Sequence, residues 1–153
     1  MLQTITPAWK ILVLMSLLGL TMTYGGTSRL DDTTYTVSYV LKNGHLTTVH
    51  ISGGHMDIVD PKGQRVAYAD VVDSLEMRSG EQATLKIRVI LTEPLRVLVK
   101  RYPADARVTF RGYILYDTGW LSWILGSGKL EFEETAPLTM VLEYLGIYEI
   151  ETT

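Results

Sequence analysis

The chain has 153 residues, of which 46% are hydrophobic and 20% are charged, a composition typical of a folded domain. Its net charge of −3 argues against a nucleic-acid binder, because phosphate binding depends on clustered Lys and Arg. The absence of cysteine excludes disulfides, thiolate metal sites, a cysteine nucleophile and a lipidated N-terminal cysteine.

The first 28 residues differ from the rest of the chain, because Lys10 is their only charged side chain. Residues 11–24 form an apolar run that can enter a bilayer. Trp9, Lys10 and Tyr24 suit the two membrane interfaces. We therefore predict a hydrophobic transmembrane signal-anchor and short linker over residues 1–28, contacting the lipid bilayer through residues 9–24.

Two fates of this segment are open. It is either a retained signal-anchor or a signal peptide cleaved after Thr23-Tyr24-Gly25, and a buried helix is a third reading. Lys10 precedes the run, whereas Asp31 and Asp32 follow it. The positive-inside rule then predicts a single-pass protein with a cytoplasmic N-terminus and an extracytoplasmic domain, and cleavage would make that domain secreted.

From Thr34 onward, apolar residues alternate with polar ones, as in β-strands. We predict a strand over residues 34–41, an Asn43-Gly44 turn and a second strand over residues 46–51. Gly53-Gly54 marks either a hairpin turn or a bulge before a third strand over residues 55–59. A type I turn at Asp60-Pro-Lys-Gly63 then leads into a strand over residues 64–72.

The second half continues in the same way, with one interruption. Residues 83–91 alternate, and a short helix capped by Thr92 follows and ends before Pro103. Further strands are predicted over residues 107–116, 120–125 and 129–133, while residues 138–150 fit a strand or a helix. We predict that residues 29–153 form an all-β, immunoglobulin-like antiparallel β-sandwich with one short helix.

The order of these features resembles the water-stress and hypersensitive-response domain of late-embryogenesis-abundant proteins of the second class. The resemblance covers about residues 34–135, and of that family's Asn-Pro-Asn only Asn43 is present here. It implies a β-sandwich, a frequent N-terminal membrane helix and a non-enzymatic role in stress protection or at the membrane. The matching segments are Lys42-Asn43-Gly44, Thr48-Val-His-Ile51, Asp60-Pro-Lys-Gly63, Leu75-x-Met77-x-x-Gly80-x-x-Ala83-x-Leu85 and Val108-x-Phe110-x-Gly112-Tyr113.

Motifs for catalysis are missing: the sequence has no nucleophile elbow, no zinc-protease helix and no dinucleotide fingerprint. We therefore expect no enzymatic activity and no cofactor. The strongest metal candidate is the cluster His50, His55 and Asp57, which converges only if Gly53-Gly54 is a two-residue turn. A solvated polar face is the alternative, and we expect no metal site there.

An aromatic run crosses the predicted hairpin after residue 116. Tyr113, Tyr116, Trp120 and Trp123 suit an interaction surface, although such residues also form ordinary core packing. The function predicted from sequence is a membrane-tethered, non-catalytic protective or binding module that has a protein partner or client and binds no nucleic acid. The alternative is a secreted or filament-forming cell-surface structural subunit that assembles through its N-terminal hydrophobic helix.

Overall fold

The alternating segments of the sequence form antiparallel strands in a computed structural model that describes residues 19–44, 47–103, 105–118 and 128–147. Within these ranges there are eight strands and two seven-residue helices. In chain order they are β1 (Leu20–Arg29), β2 (Thr34–Asn43), β3 (Val49–Val59), β4 (Arg65–Val71), β5 (Leu75–Met77), β6 (Gln82–Leu91), α1 (Leu95–Arg101), β7 (Arg107–Asp117), β8 (Gly128–Pro137) and α2 (Leu138–Tyr144).

The strands pair in the order β1-β2-β6-β4-β3-β7-β8, with the short β5 paired to β3. Every pair is antiparallel. The path divides at the β3–β4 hairpin into a four-strand half, β1-β2-β6-β4, and a three-strand half, β3-β7-β8. The predicted all-β antiparallel fold is confirmed in this form, which is that of a β-sandwich whose two halves remain hydrogen-bonded along one side.

Strand β3 contains the feature that the sequence left open. Residues 49–59 form one continuous strand, and its register against β7 shifts between Ile51 and Gly53. Gly53-Gly54 therefore belongs to a bulge, and the hairpin-turn interpretation is wrong. The extra residue changes which positions face the core: Val49 and Ile51 are buried before the bulge, and Ile58 is buried after it.

Strand β1 lies inside the segment that we assigned to an anchor and linker. It pairs with β2 from Leu20 to Arg29, and the Leu20 side chain is only 3% exposed. The sheet therefore begins at Leu20, and the predicted boundary between residues 1–28 and 29–153 is wrong. Tyr24 lies within this strand, so residues 9–24 cannot form one continuous helix; the residues before 19 lie outside the described part of the chain.

The two helices differ from their predictions in detail. Helix α1 starts after Pro94 and has no side-chain cap. Thr92 is not its cap, because the Thr92 amide and hydroxyl both donate to the carbonyl of Val66 and prolong the sheet instead. The ambiguous residues from 138 onward form α2, which buries Leu138, Val141 and Leu142. Among the described residues, no helix has the length and apolar character needed to cross a membrane.

Asn43 does more than mark a turn. Its side chain is fully buried, and its amide nitrogen donates to the carbonyls of Thr47 and Met77, each at 2.9 Å. One side chain thus joins the end of β2 to β5 and to the connection before β3. The predicted turn at Asp60 is confirmed by a hydrogen bond from the Gly63 amide to the Asp60 carbonyl, with Gly63 at φ +87°.

The placement of β1 leads to a stability prediction. A chain that begins at Leu30 loses the whole β1–β2 ladder and exposes the core around Leu20, whereas a chain that begins at Gly19 keeps both. Burial of one Leu side chain contributes about 1.5–3 kcal/mol. We expect the shorter variant to unfold at markedly lower urea concentration than the longer one. Equal midpoints would contradict the assignment of β1 to the sheet.

Candidate functional site: an apolar cavity and a histidine cluster

An apolar cavity of about 280 Å³ lies between the two halves of the sheet. Every strand except β5 contributes to its lining, and so does α2. The aliphatic part of this lining consists of Ile51, Ala69, Val71, Leu85, Ile87, Ile114, Val141 and Leu145, together with Met22 and Met56. The aromatic part consists of Tyr24, Tyr39, Phe110, Tyr113, Phe132 and Tyr144. A partly enclosed apolar cavity of this size is unusual, because protein cores contain few gaps larger than a water molecule.

The cavity separates the hydrophobic core into two clusters. The larger cluster surrounds Val37, Phe110 and Leu142, and the smaller surrounds Leu41 and Met77. Among the residues that the structure describes, only Tyr39 and Ile87 pack against both clusters, and both line the cavity. The void is therefore placed where the core is interrupted.

One side of the cavity is closed by a contact between strands β1 and β2 and the C-terminal end of α2. The Tyr39 hydroxyl donates to the carbonyl of Tyr144 at 3.0 Å, and the Thr27 hydroxyl donates to the carbonyl of Leu145 at 2.9 Å. We call these two hydrogen bonds the closing contact. Burial, with a smaller effect of Tyr24, raises the pKa of Tyr39 to about 12, so its hydroxyl keeps the donated proton near neutral pH.

Two half-exposed tyrosines mark the mouth of the cavity. Tyr24 on β1 is 50% exposed and Tyr144 on α2 is 37% exposed, yet both contribute to the lining. Tyr24 packs edge-on against Tyr39 with ring centroids 6.0 Å apart. The opening therefore lies between β1 and the end of α2, beside the closing contact.

A polar cluster lies on the three-strand half and the adjoining β4. His55 on β3 faces Asp70 across the β3–β4 pair, with Nδ1 2.6 Å from the Asp70 carboxylate. Its other ring nitrogen, Nε2, is 3.0 Å from the carboxylate of Asp57, which also accepts from Arg65. The rings of Tyr68 and Tyr113 flank the imidazole at 6.3 and 6.4 Å. We call His55, Asp57 and Asp70 the His55 cluster.

Both ring nitrogens of His55 face acceptors, and this favours the doubly protonated imidazolium. The hydrogen bond to Asp70 is the main cause of a raised His55 pKa, desolvation opposes it, and Asp57 adds to it. An imidazolium held in this way offers no lone pair to a metal or to a substrate proton. The cluster is therefore arranged as an ion-pair network on the surface of the sheet.

The candidate metal cluster His50, His55 and Asp57 is not brought together. His50 and His55 are five residues apart on one extended strand, roughly 16 Å along its axis, because the bulge replaced the turn that would have brought them together. His50 instead lies opposite Glu76 and Asp117. Among the described residues, no group of three or more His, Asp or Glu side chains has metal-binding geometry.

The predicted aromatic surface is divided between two environments. Tyr113 lies beside His55, with the Lys129 ammonium 4.8 Å from its ring centroid. Tyr116 packs against the smaller core cluster instead. Residues three apart on a strand face opposite sides, which accounts for the difference. Trp120 and Trp123 lie outside the described residues, as do Trp9 and Lys10.

Sequence reasoning did not identify the residues that form the cavity mouth. The sequence places Tyr39 only within the strand predicted over residues 34–41. It leaves Tyr144 in an ambiguous segment and favours a membrane-interface role for Tyr24. No sequence signal distinguishes a cavity-lining residue from a core residue, since both are apolar and inward-facing. Only the alternation of Leu20, Met22 and Tyr24 with exposed threonines could have indicated that β1 belongs to the sheet.

Comparison with known proteins adds little to this site. No family model and no curated protein matches the chain. A crystal structure of a protein from Archaeoglobus fulgidus is 14% identical, with a TM-score of 0.46 over 77% of this chain and 94% of that one. The PapD-like domain 7 of human CEP192 is 11% identical, with a TM-score of 0.39; the match covers 78% of this chain and 84% of that domain. Spo0M, a sporulation control protein from Bacillus subtilis, is 10% identical, with a TM-score of 0.41; the match covers 77% of this chain and 47% of Spo0M.

The His55 cluster leads to a titration prediction. Because the folded-state pKa is raised above the ordinary 6.5, the cluster stabilises the fold most below pH 6.5, and this contribution is lost as the pH rises through the raised value. Since the groups are partly exposed, we expect the loss to be under about 1 kcal/mol. An NMR titration of the His55 ring should give a pKa above 6.5.

The carboxylates provide the controls for that titration. Asp70→Asn should lower the His55 pKa more than Asp57→Asn does, whereas Asp73→Asn, at an exposed position outside the cluster, should leave it unchanged. A His55 pKa at or below 6.5, or one that ignores Asp70→Asn, would contradict the ion-pair network.

Proposed function

We propose that this chain is a non-catalytic binding module, built on an immunoglobulin-like β-sandwich and tethered to a membrane by the apolar residues that precede β1. The observation that carries the proposal is the apolar cavity of about 280 Å³ between the two halves of the sheet. Apolar cavities with a few polar groups at one end are the usual form of a small-molecule site. A binding role therefore fits this apolar departure from close packing between the two halves of the sheet.

The strand order supports the immunoglobulin-like assignment. Immunoglobulin constant domains have four strands A-B-E-D in one sheet and three strands C-F-G in the other. If β1, β2, β3, β4, β6, β7 and β8 are lettered A to G in chain order, the observed path reads A-B-E-D followed by C-F-G. The paired β3–β4 hairpin and the added β5 are the departures from that pattern.

The His55 cluster supports a non-catalytic role. General base catalysis needs a nitrogen or oxygen that can take up a proton next to the substrate. Both nitrogens of His55 are engaged by carboxylates, so the residue with the most suitable ordinary pKa is already committed to ion pairing. The cluster is better suited to holding β3 and β4 together than to proton transfer.

The position of β1 supports retention of the N-terminal segment. Cleavage after Gly25 would remove the first half of β1, including the buried Leu20 and the cavity residues Met22 and Tyr24. A membrane-inserted helix has to end before β1 begins. Between Lys10 and Leu20 there are nine uncharged residues, roughly 14 Å as a helix, which is less than half of a ~30 Å hydrocarbon core.

We therefore propose a shallow tether rather than a span over residues 9–24. Such a tether leaves both of its ends on one side of the bilayer, so the positive-inside rule, which orients spanning helices, assigns no side to the sheet. The resemblance to late-embryogenesis-abundant domains favours a protective role for such a module, in which the cavity or its tyrosine-lined mouth contacts a client or a lipid.

The tether can be tested on the full chain. We expect the chain to float with phospholipid vesicles and to keep the residues before Gly26, as read by mass spectrometry. The double variant Leu14→Lys, Leu17→Lys should no longer float with the vesicles, because each charge buried in a bilayer costs about 2.5–3.5 kcal/mol. The same double change at Thr4 and Thr6 is the control. A soluble product that starts at Gly26, or filaments in place of vesicle binding, would favour the secreted or filament-forming subunit.

The binding role can be tested with benzene, which enters smaller apolar cavities of about 150 Å³. Benzene at ten times its Kd should stabilise the chain by about 1.4 kcal/mol and raise Tm by a few degrees. Ile87→Trp fills the cavity and should abolish the shift. Ile90→Trp is the matched control, because Ile90 lies on the same strand outside the lining. No benzene-dependent shift in the wild type would refute the binding role.

A further inference from the structure

We infer that the cavity holds a single aliphatic chain of about nine carbons, with its polar head at the mouth between Tyr24 and Tyr144. This inference rests on the proposed binding function and specifies the chemical class of the ligand. Four features of the cavity lead to it: its volume, its length, the engagement of its polar atoms and the position of its mouth.

The volume is large enough for a ligand of lipid-chain size. A methylene group occupies about as much space as a water molecule, ~30 Å³ in the liquid, so 280 Å³ corresponds to roughly nine carbons. A cavity of about half this size already takes benzene. The ligand is therefore larger than one ring and smaller than a complete phospholipid.

The length of the lining favours a linear ligand over a compact one. Along β3 the lining residues run from Ile51 to Met56, and along β7 from Phe110 to Ile114. These stretches correspond to about 13–16 Å at 3.3 Å per residue. The volume divided by that length gives a cross-section of roughly 20 Å², which is close to that of one extended hydrocarbon chain.

The polar atoms of the lining favour hydrocarbon over peptide. The Tyr24 hydroxyl pairs with Thr27 at 2.5 Å, the Tyr39 hydroxyl donates to Tyr144, and His55 is held by Asp57 and Asp70. A peptide in the cavity would bring backbone N–H and C=O groups, and each buried group without a partner costs free energy. An aliphatic chain has no hydrogen-bonding groups along its length, so it can occupy the cavity while Tyr24, Tyr39 and His55 keep their hydrogen bonds.

The mouth lies where a membrane-derived chain would enter. Tyr24 is on β1, the strand that directly continues the apolar run proposed as the tether, and Tyr144 faces it from the end of α2. Tyrosine favours the membrane interface because its ring is apolar and its hydroxyl is polar. Entry requires α2 to move from β1 and β2, and this breaks the two hydrogen bonds of the closing contact and loosens the packing of the side chains that α2 buries.

The experiment uses the full chain in phospholipid vesicles and a photoactivatable diazirine on the aliphatic chain. In one arm the diazirine is in decanoic acid, and in the other it is in an acyl chain of the vesicle phospholipid. After irradiation, labelled residues are mapped by mass spectrometry. We expect labels on inward residues of β6 and β7, such as Leu85 and Ile114, and at least a tenfold loss of those labels in Ile87→Trp but not in Ile90→Trp.

The two arms distinguish the source of the chain. Labelling of the sheet by decanoic acid alone indicates a free single-chain amphiphile, and labelling by the phospholipid indicates a chain taken from the bilayer. Either result supports the inference. Circular dichroism checks that Ile87→Trp is folded, and Ala69→Leu, which also fills the cavity, replaces it if it is not.

Three outcomes would overturn the inference. Labels confined to residues before β1 would show that the chain meets lipid without taking it into the cavity. Sheet labels that persist in both filled variants would place the lipid elsewhere. Labels that appear only when Leu14 and Leu17 are both replaced by Lys would show that the N-terminal residues themselves fill the cavity. With benzene binding intact, each of these outcomes refutes the aliphatic ligand and leaves the binding module standing.

Discussion

One extra residue in β3 determines most of the architecture of this protein. Before the bulge, β3 pairs with β5 and β7; after it, β3 pairs with β4 and β7. Side chains alternate with period two, so the inserted residue moves the core-facing positions from 49 and 51 to 56 and 58. Without the bulge, Met56 and Ile58 would face solvent, and His55 and Asp57 would be directed into the core.

The same insertion shapes both the His55 cluster and the cavity, which meet at His55 and Asp70. It directs His55 and Asp57 to the face that carries Asp70, where water and Arg65 moderate the cost of three ionisable groups in contact. It also interrupts the row of inward side chains with two glycines, one of which, Gly54, lines the cavity. A Cβ added to Gly54 would lie 3.1 Å from a Val71 methyl group and 3.0 Å from the Tyr113 carbonyl. The absence of a side chain at Gly54 therefore lets β3 lie close to Val71 and Tyr113, and it also leaves part of the cavity volume unfilled.

The sequence predicted the strands well, because their alternation is local and their turns have specific chemistry. The bounds of β2, β4, β6 and β7 agree with prediction to within two residues, and the Asp60 turn forms as expected. The prediction failed at β1 because the apolar run over residues 11–24 continues into the strand. The composition does not change at Leu20, where the strand begins. The alternation of Leu20 and Met22 with Thr21 and Thr23 was too short to outweigh the hydrophobic run before it.

The cavity could not be predicted, since its volume depends on the distance between the two halves of the sheet rather than on residue type. Tyr39 and Ile87 have the inward positions of ordinary core residues, and only the separation of the two core clusters makes them cavity residues. The partners of Asn43 are also non-local: its amide reaches Met77, 34 residues away in sequence. Sequence periodicity predicts whether a side chain points toward the core or toward solvent. The residues that this side chain contacts in other strands depend on the topology of the fold.

An unfilled apolar cavity is a cost to the fold, because its lining loses dispersion contacts that a packed core would have. The sheet cannot easily collapse to remove it: β2 and β6, like β3 and β7, are fixed by long ladders, and the bulge fixes their register. The movable part of the wall is α2, which is held over the mouth by the closing contact and by the apolar side chains it buries. Inward movement of α2 would strain those two hydrogen bonds, whereas a ligand would restore the missing contacts without moving it. Under the proposed binding role, occupation of the cavity and closure of α2 over its mouth therefore favour each other, since a ligand supplies the contacts that neither α2 nor the sheet can move to make.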